Sequence, residues 1–262
     1  MKLVLRIAYD GSAYSGYQSQ PDKPSVQKAL TDAVSNCFGF PCTVTGCSRT
    51  DAGVHALGFC VAVQPACCLD ENWLRIPIGR VHHALKRFLP PDICVNGEAT
   101  ADDSFHPRYS AVSKEYIYRM YDSPEDDPFL RERAWHLRHR LTDDAIEKMN
   151  IAGQSFLGEH DFTSFMAAGS KITDARRSIY SLHTARSGNN IELKVSANGF
   201  LYNMVRIITG TLVDAAVGTI DFHEISQIID RKDRTAAGKT APPYGLYLNK
   251  VTYDRDIDFV IM

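Results

Sequence analysis

The sequence predicts an α+β fold with a largely antiparallel sheet, and three features of its patterning carry that prediction. Period-two alternation of apolar and polar residues recurs in both halves, most cleanly in KEYIYRMY at 114–121. A turn signal, Ser187-Gly188-Asn189-Asn190, joins two β-prone runs directly, as a hairpin requires. Helical stretches fall between strands without the steady βαβα alternation that a doubly wound parallel sheet needs.

Taken in order, Leu3, Leu5 and Ile7 alternate with Val4, Arg6 and Ala8, a strand that ends at the turn residues Asp10-Gly11-Ser12. Ser25 can cap a helix with Val26, Ala29, Leu30, Ala33, Val34 and Cys37 at spacings of three and four, so one face is apolar. A short strand over Thr43–Thr45 leads into GCSRTDAGVHALGFC, residues 46–60, and a second strand resumes over Phe59–Gln64. A helix near Val81–Phe88 is stopped by Pro90-Pro91 and followed by a strand around Ile93–Val95. In KEYIYRMY, Tyr116, Tyr118 and Met120 share one face, while Glu115, Ile117, Arg119 and Tyr121 share the other. Thr142 caps a helix, with Leu141 and Ile146 placed as a hydrophobic staple. Strands over 178–185 and 191–197 flank the hairpin, and a helix follows from about Leu201 to Val217. Asp221 with Glu224 three residues later matches a capping box for another helix, and Leu246–Tyr253 closes the chain as a strand. We divide the chain into halves, 1–104 and 105–262, forming one continuous catalytic core.

Bulk properties narrow the class. Hydrophobic residues at 44% and charged residues at 23% describe a soluble globular protein rather than a disordered or fibrous one. A chain of 262 residues can bury roughly 70–75% of its unfolded surface, so its core needs no disulfide or metal staple. Arg6 and Asp10 interrupt the N-terminal apolar run, and the uncharged run Ala56–Leu69 is too short and too polar to span a bilayer. We therefore expect a cytoplasmic protein without membrane contact. Seven cysteines form no CxxC pair and mostly sit in apolar runs, as reduced thiols do. The net charge of -2 is not the footprint of a strongly basic nucleic-acid binder, yet Arg131, Arg133, Arg138 and Arg140 interleave with Trp135, His136 and His139. That cluster, with Arg176-Arg177, suits phosphate contacts or a solvated face equally well.

Several tempting motifs fail on their own chemistry. GKT at Gly238–Thr240 resembles the end of a P-loop, but Asp233 stands where the first glycine belongs and Pro242-Pro243 follow where a helix should begin. Zinc deaminase chemistry needs HxE and PCxxC, and neither occurs. Cys37, Cys42 and Cys47 match metal-ligand spacing only loosely, so we expect no metal.

Asp51 is more telling. It lies in a connection between two strands, where loops carry function on a rigid frame. As a turn former it would account for Asp-Ala-Gly well. As a reacting carboxylate it needs a cation to hold it ionised once desolvated, and Arg49 projects to the same side of an extended chain. No second acid stands at a spacing that suggests paired acid–base chemistry, which favours a lone nucleophilic or electrostatic carboxylate. A second oddity is Arg206, amid Leu201, Met204, Val205, Ile208 and Leu212. Such an arginine either snorkels to water or pairs with a buried acid, and Asp51 is then an attractive partner.

These stretches carry a resemblance. SRTDAGVHALG at 48–58, FHPRYSAVSKEYIYR at 105–119, HDFTSF at 160–165, NGFLYNMVRIITG at 198–210 and APPYGLYL at 241–248 resemble, in order, the motifs of the tRNA pseudouridine synthase A family. YDGSAYSGYQSQ followed by SVQKAL resembles the family's opening. The resemblance implies the pseudouridine synthase fold, a mixed and mainly antiparallel sheet flanked by helices in two similar halves around a central cleft. It implies a homodimer that binds tRNA and, without cofactor or metal, isomerises uridine to pseudouridine at positions 38, 39 and 40 of the anticodon stem-loop. Asp51 matches the family's catalytic aspartate, Arg49 the arginine linked to base flipping, and Arg206 the arginine that pairs with the aspartate. Tyr116 matches the tyrosine that stacks on uracil, Leu246 lines the uracil pocket, and His55 joins the substrate-binding set. Lys86, Arg87, Arg138, Arg140, Arg176 and Arg177 are candidates for phosphate contacts. The sequence departs from the family pattern at Ser48, Tyr17, Pro107 and Lys114, where glycine, tryptophan, alanine and arginine are usual. The rivals are a non-catalytic RNA-binding module and a carboxylate-dependent glycosidase or nucleosidase. The latter would want a second acid near Asp51.

Overall fold

The computed structural model describes residues 1–67, 73–169 and 172–261. In chain order its elements are β1 (Lys2–Tyr9), α1 (Val26–Phe38), β2 (Cys42–Gly46), β3 (His55–Pro65), α2 (Val81–Leu85), β4 (Ile93–Ala101), β5 (Ala111–Tyr121) and β6 (Trp135–His136). There follow α3 (Asp143–Gln154), β7 (Gly158–Asp161), β8 (Arg176–Ser187), β9 (Asn190–Ala197), α4 (Met204–Ala216), α5 (Ile225–Arg231), β10 (Leu246–Tyr253) and β11 (Val260–Ile261). Strands and helices mix without strict alternation, the α+β organisation that the patterning predicts.

The chain forms two compact units, Met1–Val112 with Leu248–Met262, and Ser113–Tyr247. The sequence-based division instead cuts once, after residue 104. The final segment returns to the first unit because β10 runs on past Tyr247.

In the first unit β11, β4, β1 and β3 lie side by side with β2 on the other edge of β3, every pair antiparallel. The β1 core residues Leu3, Leu5 and Ile7 are fully buried, and so is Val4 on the opposite face, so this strand is covered on both sides. Helix α1 packs on β2 and α2 packs on β4. Ser25 caps α1 by accepting the Lys28 N–H, and Val26, Leu30, Ala33 and Val34 of the expected stripe are buried. Strand β3 begins at His55, four residues earlier than the apolar run suggests, which shortens the connection carrying Asp51. The uncharged run from Ala56 is strand up to Pro65, and its last two residues, 68 and 69, lie outside the described residues.

In the second unit the antiparallel order is β5, β9, β8, β7, and β6 runs parallel to β5 with Met120 opposite Trp135. That parallel pair makes the sheet mixed. Tyr118 and Met120 point into the core, where α3 packs on β8 and α4. Thr142 caps α3 through the Ala145 N–H. Helix α4 is buried all round except at Arg206 and its last residue, as expected of a helix that is hydrophobic on every face.

Two local expectations fail for local reasons. The α2 helix ends at Leu85, and hydrogen bonds from Phe88 N and Leu89 N to the Leu85 carbonyl finish it as a turn. The Asp221–Glu224 capping box does not form: the Asp221 carboxylate accepts the His223 N–H at 2.9 Å, and α5 starts only after Glu224. A short acid side chain bonding two residues ahead competes with the helix start. Among the described residues no helix is long and apolar enough to cross a membrane.

Candidate active site

Asp51 sits half-buried in the connection between β2 and β3, and the backbone around it is set by close contacts that only glycine permits. Gly16 has φ +101, and a Cβ there would stand 2.7 Å from the Thr50 carbonyl oxygen. Gly11 would bring a Cβ within 2.1 Å of the Val54 carbonyl oxygen. The segment after β1 therefore lies flush on residues 50–54. Tyr17 N–H donates to the Thr50 carbonyl at 3.1 Å, and Gly53 N–H donates to the Tyr14 carbonyl at 3.3 Å. The buried hydroxyls of Tyr9 and Thr50 meet at 2.8 Å. Asp51 closes its own turn, its carbonyl accepting the Val54 N–H at 3.1 Å.

His55, at 2% exposure, underpins this loop. Its Nδ1 accepts the Gly11 N–H at 3.0 Å, which places the ring proton on Nε2. Asp10 Oδ1 lies 3.2 Å from the same nitrogen. Asp10 also takes both the N–H and the hydroxyl of Ser12. Arg49 and Ala52 are exposed on either side of the loop, and Ser48 is half-buried.

Arg206 belongs to the second unit, on the first turn of α4. It does not snorkel. The side chain is half-buried, Nε donates to the Ala241 carbonyl at 2.8 Å, and an NH1 hydrogen goes to Asn203 Oδ1 at 2.6 Å. Asn203 precedes the helix in the left-handed region, at φ 59, a conformation asparagine tolerates better than most residues. Ala241 reaches Arg206 because residues 238–241 run along α4: Ala241 N–H donates to the Arg206 carbonyl at 3.1 Å and Gly238 N–H to Thr211 Oγ1 at 2.9 Å. Gly210 lets this segment approach, since a Cβ there would lie 1.9 Å from the Lys239 carbonyl oxygen. Arg234 ties down the same segment through the carbonyls of Ala237 and Gly238 and the Thr240 hydroxyl. GKT is thus a docked loop, as its failed P-loop pattern implies.

Tyr118 lies close by, its hydroxyl donating to the Pro242 carbonyl at 2.7 Å. Burial pushes this phenol well above the usual tyrosine range, and the Arg206 charge pulls it part of the way back. Gly245 is needed where the chain turns into β10, because a Cβ there would press on the Tyr118 ring at 2.7 Å. Leu246, the next residue, is nearly buried at the start of β10. Tyr116 is 7% exposed on the same strand face as Tyr118, opposite Val195, and its ring meets Phe200 edge-on at 5.1 Å.

In the first unit, then, Arg49 and Asp51 share one loop that His55 ends as the first residue of β3, and in the second Arg206 and Leu246 lie near Tyr118, with Tyr116 on the Tyr118 face. Asn203 and Ala241 are supporting residues that had no part in the sequence-based expectations, whereas Tyr118 already stood beside Tyr116 on the expected strand face. Asn203 carries a signal in retrospect, an αL-tolerant residue three positions before a buried arginine. Ala241 carries none, because only its backbone acts.

Of the phosphate candidates, Lys86 and Arg87 follow α2 in the first unit, while Arg138, Arg140, Arg176 and Arg177 belong to the second. All are exposed except Arg177, which is half-buried and donates to the Asp174 and Arg176 carbonyls. None of the six forms an ion pair among the described residues, whereas Arg119, Arg186 and Arg255 are each matched by a carboxylate. Asp126 pairs with His136 rather than with the arginines beside it. The six cations therefore keep their charge available to an anionic partner.

A family model described as tRNA pseudouridine synthase matches residues 152–254. A tRNA pseudouridine synthase A of Bacillus subtilis is 42% identical over 97% of this chain and 100% of its own length. One from Ruminiclostridium cellulolyticum is 42% identical over 96% of this chain and 99% of its own, and one from a Thermoanaerobacter species 40% over 96% and 99%. Among solved structures, a Cbf5-Nop10-Gar1 complex overlaps at a TM-score of 0.36 and 10% identity, covering 94% of this chain and 58% of that one. An overlap that low adds nothing to the assignment.

Proposed function

The chain belongs to the tRNA pseudouridine synthase A family, and from that premise we propose that it isomerises uridine to pseudouridine at positions 38, 39 and 40 of the tRNA anticodon stem-loop. The reaction breaks the bond between ribose C1′ and uracil N1, turns the detached base, and joins C1′ to C5. N1 gains a proton and the proton on C5 leaves to water. Nothing is oxidised and no phosphate is consumed, so the balance closes without a cofactor.

Asp51 is the nucleophile, attacking C1′ or C6, and Arg206 is its counter-ion. A guanidinium beside a desolvated carboxylate favours the anion. The observation that carries this reading is the seating of Arg206, half-buried on Asn203 and the Ala241 carbonyl rather than extended to water. Burying an arginine is costly, and an anchored guanidinium needs an anion to answer it. Arg49, exposed beside Asp51, enters the gap left when the target base is extruded. Extrusion costs a few kcal/mol, which a side chain filling the stack offsets. Tyr116 supplies a flat face for the uracil, Leu246 an apolar wall, and His55 holds the loop that binds substrate. The six unmatched cations meet phosphates, and a homodimer working in the cytoplasm assembles the basic surface that one chain of net charge -2 lacks.

Undermodified tRNA carrying tritium at uracil C5 tests this directly. The isomerase releases the tritium and keeps the base attached. A non-catalytic RNA-binding module binds and releases nothing, and a nucleosidase frees the base.

A further inference from the structure

Beside Arg49 the first unit holds a cavity of about 220 Å³ that none of these roles uses. Its walls come from segments far apart in sequence: Tyr17 after β1, Gln27 from α1, Arg49 from the β2–β3 connection, and His106, Arg108 and Tyr109 from the segment before β5. No carboxylate lines it.

Two of its features are unexplained by folding. The Tyr17 side chain is 3% exposed, stacked on Phe59 at 4.3 Å, yet its hydroxyl is buried without a hydrogen-bond partner among the described residues. Buried polar groups are nearly always satisfied, and an exception calls for a reason. Room for this hydroxyl is made by Gly46, where a Cβ would stand 2.6 Å from it. At the rim, the Tyr109 ring is 77% exposed. It is not loose: the His106 ring lies 4.3 Å away at 33°, and the Arg108 guanidinium stands 5.9 Å above it. His106 is itself fixed, its Nδ1 accepting the backbone N–H groups of Arg108 and Tyr109.

A flat exposed ring, two arginines without an ion-pair partner among the described residues, and an unanswered hydroxyl in the pocket wall match the chemistry of an unstacked nucleotide. Resting on the proposed function, we propose that this cavity is a second nucleotide pocket, which holds one unpaired base of the RNA other than the one isomerised. Tyr109 and His106 stack on that base, the Tyr17 hydroxyl bonds to its edge, and Arg49 and Arg108 meet the flanking phosphates. Arg49 then stands between two extruded nucleotides and reads both. Burial holds the His106 imidazole below its usual range, so it meets the base as a neutral ring near pH 7.

The test is an abasic scan of a stem-loop RNA containing the target uridine, read as Kd by filter binding. For the wild-type protein, removing the base at one loop position other than the target should weaken binding roughly tenfold, about the effect of one stacked base. With Tyr109→Ala the intact RNA should bind roughly tenfold more weakly, and the same abasic position should then have no further effect. Tyr17→Phe should weaken binding several-fold without lowering the thermal midpoint, since it removes an unsatisfied hydroxyl and keeps the ring. An abasic scan flat outside the target, or full additivity between Tyr109→Ala and every abasic position, overturns the pocket. So does Tyr17→Phe binding as wild type. These outcomes are separable from the function itself, because wild-type tritium release is measured on the same RNA.

Discussion

The Asp51 loop and the Arg206 seat solve the same problem by different means. Asp51 is placed by backbone. Gly11 and Gly16 let the segment after β1 press on residues 50–54, and carbonyl and N–H groups complete the fit. Arg206 is placed by side chains and by a loop more than thirty positions away, through Asn203 at one end and the Ala241 carbonyl at the other. A backbone-built site tolerates almost no added volume. A side-chain-built site loses position gradually, one contact at a time, and its stability cost is separable from its activity cost.

The largest expected effect lies in the backbone-built region. Gly16→Ala adds a Cβ 2.7 Å from the Thr50 carbonyl oxygen at a φ of +101, so it should cost on the order of 3 kcal/mol of stability, read from the urea midpoint at constant slope. If Gly16→Ala unfolds at the wild-type midpoint, the contrast between the regions fails.

Next comes Asn203. Asn203→Gly keeps the left-handed backbone and removes only the carboxamide that holds Arg206. A hydrogen bond to a charged group is worth ~1.5–3 kcal/mol, so kcat should fall roughly tenfold or more while RNA affinity holds. Asn203→Ala should lose the same activity and about 1 kcal/mol more stability, because alanine resists that φ. Equal kcat in Asn203→Gly and wild type would show that Arg206 needs no such anchor. Tyr118→Phe should cost roughly 1 kcal/mol in thermal unfolding by leaving the Pro242 carbonyl unanswered, with a smaller fall in kcat than Asn203→Gly. Smallest is Thr142→Ala, which removes the α3 cap for about 1 kcal/mol or less and should leave kcat alone.

The same contrast explains what could be read in advance. Strand β1, helix α1 with its Ser25 cap, the Tyr116–Tyr118–Met120 face and strand β10 follow from local period and capping, and the structure places them there, although β10 does not close the chain because the two-residue β11 follows it. The Asp51 loop was visible because an acid beside Arg49 interrupts two β-prone runs, whereas the Gly11 and Gly16 contacts that seat it emerge only from the fold. The seat of Arg206 was half visible: an arginine in an apolar helix poses the question, but a distant carbonyl answers it. Strands β6 and β7, at two and four residues, are too short to show a period, and the Asp221 turn won over a capping box by a single competing hydrogen bond. The orphaned Tyr17 hydroxyl was invisible until the fold buried it.

With the Asp51 carboxylate proposed as the reacting group, Asp51→Asn isolates it with almost no change in shape. Single-turnover tritium release from C5-labelled tRNA should fall to background while the Kd for that tRNA stays within roughly threefold of wild type. Tritium release by Asp51→Asn at even about a tenth of the wild-type rate would contradict that role, since an amide in that place cannot act as the nucleophile.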